Sequence, residues 1–133
     1  MPLSSKRVLI LGDRGQIEAV SRHFGQFEHD HAYDVVSASN GSEAASALSR
    51  GRPDLLVLEP QMKGLDGLMF LKRMRAVDPA IPVIVMTGAQ EGRAAAEALS
   101  AGVFACIPKP CDFAPFEHLV GLALSGRLHT GSA

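Results

Sequence analysis

Five short apolar runs, separated by stretches with helical character, constrain the fold of this chain more than any other feature of its sequence. They cover residues 8–11, 33–36, 55–58, 83–86 and 103–107. Each run is continuous rather than alternating, which is typical of strands covered on both faces in a parallel sheet. Because parallel neighbours are joined by right-handed crossovers, the alternation of strand and helix predicts a doubly wound α/β sheet.

Helix signals fill the gaps between the predicted strands. An apolar stripe through residues 17–27 marks the first helix, and Asn40 and Asp66 are placed to cap the second and third. Residues 91–100 are rich in alanine, and residues 116–123 carry the last apolar stripe. The economical arrangement is a flavodoxin-like (βα)5 fold with strand order 2-1-3-4-5, in which ligands lie beyond the carboxyl ends of the strands.

Length and charge limit the partners of such a domain. A chain of 133 residues has room for one core, which we place in residues 6–124, with residues 125–133 as a flexible tail or linker stub. A formal net charge of −1 excludes a broad basic surface for nucleic acid or anionic lipid. Two cysteines form no disulfide framework, and no long apolar run is present, so we expect a cytoplasmic protein without membrane contact.

Four of the predicted strand ends carry side chains that could bind a ligand or take part in a reaction. Asp13 follows the first strand, Glu59 the third, Thr87 the fourth and Lys109 the fifth. The carboxyl ends of parallel strands meet at one edge of a sheet, so these groups are expected to converge. Carboxylates, a hydroxyl and an ammonium group in one cleft are suited to a divalent cation or a phosphoryl group.

The segments that carry these residues are 8–13, 53–59, 82–88 and 101–110, and with them the chain resembles the receiver domain of two-component response regulators over residues 6–124. The resemblance implies a phosphorelay module rather than an enzyme. It implies that paired acids after the first strand and an Asp ending the third bind magnesium, and that this Asp accepts a phosphoryl group from a histidine kinase. It places Glu59 at the phosphoacceptor position, with Asp13, Thr87 and Lys109 around the phosphoryl group.

The acceptor position departs from the family pattern. Glu59 stands where the family has Asp, which moves the carboxylate one methylene further into the cleft. Phosphoryl transfer depends on near-attack geometry, and a displacement of this order costs about 100-fold. The longer carboxylate is instead expected to pair with Lys109 and to act as an imperfect built-in mimic of the phosphoryl group.

The predicted magnesium site also departs from the pattern. Gly12 removes one of the paired acids, and Arg14 adds a cation beside Asp13. Magnesium requires near-octahedral oxygen ligation, so its binding is expected to be weak or lost, with Asp13, Glu59 and Gln61 as residual candidate ligands. With one ammonium at Lys109 and the guanidinium of Arg14, the cleft is expected to be close to neutral.

The family's switch aromatic is replaced by Cys106, a small thiol that cannot make the corresponding rotamer change. Phe104 lies two residues earlier and is expected on the same side of the strand. The Lys109–Pro110 bond is a candidate for the cis peptide that the family carries at this place.

The resemblance implies contact with a signalling protein or histidine kinase, and a homodimer through helix four, strand five and helix five. Small residues on the fourth helix, Ala94, Ala95, Ala96 and Ala98, would let a partner approach closely. Action independent of phosphorylation is the favoured interpretation. The alternatives are a domain that is still phosphorylated by a kinase or acyl phosphate, and a flavodoxin-like protein that binds a small ligand.

Other motifs have simpler explanations. His29 and His31 have no third ligand at a fixed spacing, so a solvated loop is favoured over a metal site. Lys72, Arg73 and Arg75 are interpreted as a solvated helix end rather than a nucleic-acid contact. Scattered serines and histidines form no acyl-transfer pattern.

Overall fold

Ten elements alternate along the chain in the computed structural model, which describes residues 5–88 and 91–125. The strands are β1 (Ser5–Leu11), β2 (Ala32–Ala38), β3 (Leu55–Leu58), β4 (Val83–Thr87) and β5 (Ala105–Pro108). The helices are α1 (Arg14–Phe24), α2 (Gly41–Ser49), α3 (Gly67–Val77), α4 (Gly92–Ser100) and α5 (Phe113–Ser125).

The five strands form one parallel sheet in the order β2-β1-β3-β4-β5, which confirms the predicted flavodoxin-like fold. Strand β3 lies at the centre, and all four of its residues are buried. Its last residue, Leu58, pairs with Leu11 of β1 and Val85 of β4. The carboxyl ends of the three central strands therefore meet at one edge, where the sequence predicts the site.

Apolar side chains form one layer on each face of the sheet. Helices α2, α3 and α4 cover one face, with Ala44, Leu71 and Ala98 among the buried residues. Helices α1 and α5 cover the other, with Val20 and Phe116 fully buried. Successive residues of the continuous strand runs point into opposite layers, which explains why these runs are apolar throughout.

Local capping fixes where α2 and α3 begin. The Asn40 side chain accepts a hydrogen bond from the Glu43 amide at 2.8 Å, and Asp66 accepts one from the Met69 amide at 3.1 Å. Both predicted N-caps are confirmed. These bonds satisfy amides at the first turn that have no partner within the helix.

Several element boundaries differ from the predicted ones: β1 begins earlier, β2 is longer at both ends, and three other differences concern α1, β5 and α5. Helix α1 ends at Phe24 because Gly25, a poor helix former, follows it, and Phe27 packs back on Phe24 from the loop. Strand β5 begins at Ala105 rather than at residue 103. Helix α5 extends to Ser125, one residue into the predicted tail, and residues 126–133 lie outside the described residues.

Arg75 is half-buried, so the interpretation of its basic cluster as a solvated helix end is wrong for this residue. Its guanidinium donates to the carbonyls of Pro79 at 2.9 Å, Ile81 at 2.5 Å and Gly102 at 3.0 Å. Burial lowers its pKa from the usual value. The side chain therefore ties α3 to the segments that precede β4 and β5.

Within residues 5–88 and 91–125, no helix has the length and apolar character needed to cross a membrane.

Candidate functional site

Glu59 is a buried charged residue at the carboxyl edge of the sheet, with 4% of its side chain exposed. It directly follows β3, and its amide donates to the carbonyl of Leu11 at 3.0 Å, which continues the pairing of β1 and β3 by one step. The backbone of Gly67 packs closely against the Glu59 carbonyl. The main chain of Glu59 is thus fixed from two sides.

Both carboxylate oxygens of Glu59 have partners. Oε1 accepts a hydrogen bond from the Asp13 amide at 2.8 Å, and Oε2 lies 2.7 Å from the ammonium nitrogen of Lys109. The predicted pairing of Glu59 with Lys109 is therefore present. Charge-assisted hydrogen bonds of this length are among the stronger ones in proteins.

Lys109 is held beside the end of β4. Its amide donates to the Thr87 carbonyl at 2.9 Å, and the Lys109–Pro110 peptide is cis, as the sequence predicts. Partial burial lowers the pKa of Lys109, but the hydrogen bond and charge of Glu59, together with Glu91, outweigh it and raise the pKa above its usual value. The ammonium group is therefore stabilised in its charged form.

Glu91, immediately before α4, is a site residue that the sequence interpretation missed. Its Oε1 lies 3.7 Å from Lys109 Nζ and accepts a hydrogen bond from the Gly88 amide at 2.5 Å. Its side chain is 13% exposed. The signal that could have found it is an acidic residue three positions after the glycine that follows β4.

The site carries excess negative charge, so the expected near-neutral cleft is wrong. Asp13, Glu59 and Glu91 supply three carboxylates against the single ammonium of Lys109, a formal charge of −2. Arg14 is exposed and lines a separate shallow cavity with Glu43 on the side of α2.

The residual candidate magnesium ligands have different surroundings. The Asp13 carboxylate is partly exposed and accepts a hydrogen bond from the Lys63 amide at 3.2 Å. Gln61 is exposed in the loop after β3, where its backbone forms an isolated β-bridge with Asp66. Among the residues that the structure describes, no group of three or more His, Cys, Asp or Glu side chains is arranged to hold a metal ion.

Cys106, at the switch position, faces α4. Its Sγ lies 3.8 Å from the Ala95 carbonyl, and burial raises the pKa of the thiol. Phe104 packs in the opposite layer, with α1 and α5, so the expectation that both side chains share one side is wrong. Phe104 precedes the first residue of β5, and the regular alternation of a strand does not extend to it.

His29 and His31 lie in the predicted loop before β2, but they are half-buried in an aromatic cluster with Tyr33 rather than fully solvated. The His29 ring is hydrogen-bonded to the Tyr33 hydroxyl, and His31 Nε2 lies 3.0 Å from the same oxygen. Burial, followed by the charge of Glu117, raises the pKa of Tyr33 to about 12. The cluster is structural and lies apart from the strand-end site.

The alanines of α4 do not form the expected contact stripe. Ala94 and Ala98 are buried against the sheet, and Ala95 is half-buried. The outward side chains include Ala96 and Leu99, of which Leu99 is 58% exposed. An amphipathic helix turns residues three and four apart to the same side, which places residues 94 and 98 together toward the core.

Most of this chain is similar in sequence to known proteins. A family model described as the response regulator receiver domain matches residues 8–120. Sporulation initiation phosphotransferase F of Bacillus subtilis is 30% identical over 110 residues, which cover 83% of this chain and 86% of that protein. The DNA-binding transcriptional regulator NtrC of Salmonella typhimurium is 40% identical over 86 residues, 65% of this chain but 18% of that protein. This chain thus spans about a fifth of the length of that relative.

Solved structures share the fold over most of the chain. The receiver domain of NtrX from Brucella abortus matches with a TM-score of 0.78 and 24% identity, covering 89% of this chain and 98% of that one. A signal receiver domain of a histidine kinase from Syntrophus aciditrophicus matches with a TM-score of 0.76 and 28% identity, covering 91% of each chain. With the family match over residues 8–120, these findings establish that the chain belongs to the response regulator receiver domain family of two-component signalling.

Proposed function

We propose that this receiver domain signals through contact with another protein without a phosphoryl-transfer step. The observation that carries the proposal is the engagement of both Glu59 oxygens, one by the Asp13 amide and one by Lys109. In this arrangement the ion pair of Glu59 and Lys109 stands in for the phosphorylated state. A carboxylate offers one charge and two oxygens where a phosphoryl group offers more of both, so the mimicry is partial.

Phosphorylation of Glu59 is disfavoured by its surroundings. An attacking carboxylate needs an oxygen that is free to approach a phosphorus atom in line. Attack through Oε2 competes with the 2.7 Å contact to Lys109, and attack through Oε1 competes with the 2.8 Å bond to the Asp13 amide, because each contact fixes the oxygen in place and occupies one of its two lone pairs. The extra methylene of Glu adds a displacement that costs about 100-fold in rate.

Magnesium fits this donor set poorly, and we propose that the domain works without it. Octahedral magnesium requires several oxygen ligands, whereas Gly12 brings no side chain and each Glu59 oxygen already uses one of its two lone pairs to accept a hydrogen bond. The Lys109 ammonium, 2.7 Å from Glu59, repels a second cation at the same carboxylate. The proposed role is accordingly that of a protein-binding module and not of an enzyme.

The proposal is tested by incubating the purified chain with acetyl phosphate and Mg²⁺ and measuring its intact mass. We expect no phosphoryl adduct on the wild type. The double variant Gly12→Asp/Glu59→Asp, which restores the paired acids and the acceptor Asp, serves as the matched comparison and is expected to gain one. A Mg²⁺-dependent adduct on Glu59 of the wild type would refute the proposal in favour of a receiver that is still phosphorylated.

Receiver domains interact with histidine kinases or other signalling proteins, and for this chain we propose the face of α4, β5 and α5, with no nucleic-acid contact by this domain. A second copy of the chain is the simplest partner to test, and Leu99 is the exposed apolar anchor on that face. Exposed apolar side chains contribute most to binding when an interface buries them.

Sedimentation of the wild type, of Leu99→Lys and of the control Val77→Lys separates the outcomes. Val77 is 84% exposed at the end of α3, away from the proposed face. We expect concentration-dependent dimerisation that Leu99→Lys weakens at least tenfold and that Val77→Lys leaves unchanged. A wild type that stays monomeric at millimolar concentration would leave a different signalling protein as the partner and exclude the homodimer.

A further inference from the structure

Gly12 is buried beside the Glu59 carboxylate. That carboxylate lies in the space where any other residue at position 12 would place its side chain. A Cβ atom built on Gly12 would lie 2.6 Å from Glu59 Oε1 and 3.4 Å from its carboxyl carbon. Separations below 3.0 Å between a Cβ and another heavy atom require one of them to move. The carboxylate thus occupies the room that the missing side chain leaves.

Space, and not backbone conformation, accounts for the glycine at position 12. Among the described residues the positive φ angles belong to Gly51 and Gly102, so the backbone of Gly12 is one that other residues adopt. Its amide donates to the Ala38 carbonyl at 3.2 Å, an ordinary extension of the pairing between β1 and β2.

We infer that Gly12 is a positioning residue that selects Glu over Asp at position 59. The absence of a side chain at Gly12 admits the longer carboxylate and lets it reach the amide of the neighbouring Asp13. The missing acid and the lengthened acid are then one coupled feature rather than two independent losses. This inference rests on the proposed role of Glu59 as the carboxylate that stays in the pocket.

Glu59 cannot give way to a side chain at position 12 without losing a contact. The end of a glutamate is ordinarily free to move, but here each oxygen is held, by Asp13 at 2.8 Å and by Lys109 at 2.7 Å. The main chain cannot withdraw either, because a Cβ at Gly67 would lie only 2.1 Å from the Glu59 carbonyl oxygen, which shows how closely the two backbones pack. A methyl group at position 12 therefore displaces Oε1 from the Asp13 amide.

An aspartate at position 59 would be too short to reach the Asp13 amide. Its side chain is shorter by one C–C bond, which is about 1.3 Å of reach along an extended chain, and this exceeds the slack of a 2.8 Å hydrogen bond. The space beside Gly12 would be vacated, and the Asp13 amide would lose its charged acceptor. Glycine at position 12 and glutamate at position 59 therefore fit each other.

A double-mutant cycle of Gly12→Ala with Glu59→Asp tests the coupling. The readouts are the proton shift of the Asp13 amide by NMR and the urea midpoint of unfolding. Gly15→Ala is the matched control, because a Cβ at Gly15 has no atom within 4 Å. Comparing Gly12→Ala in the two backgrounds cancels the direct effect of the neighbouring residue on the amide shift.

We expect Gly12→Ala to move the Asp13 amide proton upfield and to lower the urea midpoint in the wild-type background. In the Glu59→Asp background the same change should do neither, and Gly15→Ala should match the wild type in the amide shift. Equal effects of Gly12→Ala in both backgrounds, or an Asp13 amide as unresponsive to it as to Gly15→Ala, would overturn the inference.

If Gly12→Ala does not fold, Glu59→Asp alone decides the question, since an unchanged Asp13 amide in that variant refutes the coupling. The phosphorylation assay is independent of this cycle. A phosphorylated wild type would refute the proposed function and leave a measured coupling intact, whereas an additive cycle with an unphosphorylated wild type would refute only the coupling.

Discussion

At the scale of single residues, Lys109 is the side chain on which the strand-end site depends. It contacts Glu59 at 2.7 Å and lies 3.7 Å from Glu91, with a quarter of its side chain exposed. Removing one partner of a buried ion pair costs more than the pair itself contributes, because the remaining charge stays desolvated. The burial of Glu59 makes this asymmetry large here.

Substituting Lys109→Gln is expected to lower the free energy of unfolding by about 2 kcal/mol, less than for a fully buried pair because water reaches the lysine. Urea unfolding measures this loss. Lys72→Gln is the control, since Lys72 is an exposed lysine 3.8 Å from Glu97 and such pairs contribute less than about 1 kcal/mol. Equal losses for the two variants would contradict the central place of Lys109.

Most residues of the site could be named from the sequence, and so could the pairing of Glu59 with Lys109, but the other contacts could not. Asp13, Glu59, Thr87 and Lys109 follow from the rule that parallel strands end at one edge. The contact between Gly12 and Glu59 joins residues far apart in the chain and depends on side-chain direction, which spacing does not encode. Glu91 was missed for the same reason, because an alanine-rich helix gives no sign of where its preceding residue points.

At the scale of the elements, a few polar side chains define where helices begin or join a helix to other segments. Asn40 and Asp66 cap α2 and α3 through local bonds of the kind that sequence predicts well. Arg75 joins α3 to two distant segments through backbone carbonyls, which no pattern of charges reveals. A helix end that depends on a following glycine, as at Gly25, can be predicted less well than a cap and better than the contacts of Arg75.

Replacing Arg75 by Gln is expected to destabilise the fold by about 2 kcal/mol. Three carbonyls lose charged donors, and such bonds contribute about 1.5–3 kcal/mol each when fully buried but less at these partly exposed positions. The measurement is the midpoint of thermal or urea unfolding. Arg73→Gln is the matched control on the same helix, since Arg73 is exposed, and it should stay within about 0.5 kcal/mol of the wild type. A loss of similar size in both variants would show that Arg75 acts only as surface charge.

The cap of α2 offers a smaller and more local test. Asn40→Ala removes the acceptor of the Glu43 amide and is expected to cost about 1 kcal/mol. Ser42→Ala, one residue inside the helix, is the control and should change the free energy of unfolding by less than half as much. Hydrogen exchange should show the loss concentrated at the first turn of α2, and uniform loss across the domain would argue against a capping role.

At the scale of the whole molecule, several groups that lose a proton at alkaline pH hold it more tightly in the folded chain than their usual pKa values imply, and Cys106 is one of them because burial raises its pKa. Burial raises the pKa of Cys111 to about 11 and that of Tyr33 to about 12, and the pKa of Lys109 is raised despite its burial because of Glu59 and Glu91. The folded chain therefore binds more protons than the unfolded chain at alkaline pH. Stability must fall as the pH rises.

The decline should begin near pH 9, where the unfolded cysteine loses its proton, and should continue to about pH 11, where the folded Cys111 does. Urea midpoints under reducing conditions from pH 7 to pH 10.5 measure it. Cys111→Ala should reduce the slope of the first part of the curve and leave the contributions of Cys106, Lys109 and Tyr33. A variant curve parallel to that of the wild type would show that Cys111 is not buried as described.

The placement of Lys109 between two acids links the centre of the sheet to the segment before α4 through a single ammonium group. Its nitrogen is 2.7 Å from Glu59 and 3.7 Å from Glu91, so one cation serves both carboxylates. Glu91 immediately precedes α4 and is bonded to the Gly88 amide. A partner protein that binds α4 and moves Glu91 would therefore change how strongly Lys109 holds Glu59, and by thermodynamic linkage any ligand that engages Glu59 would change the affinity for that partner.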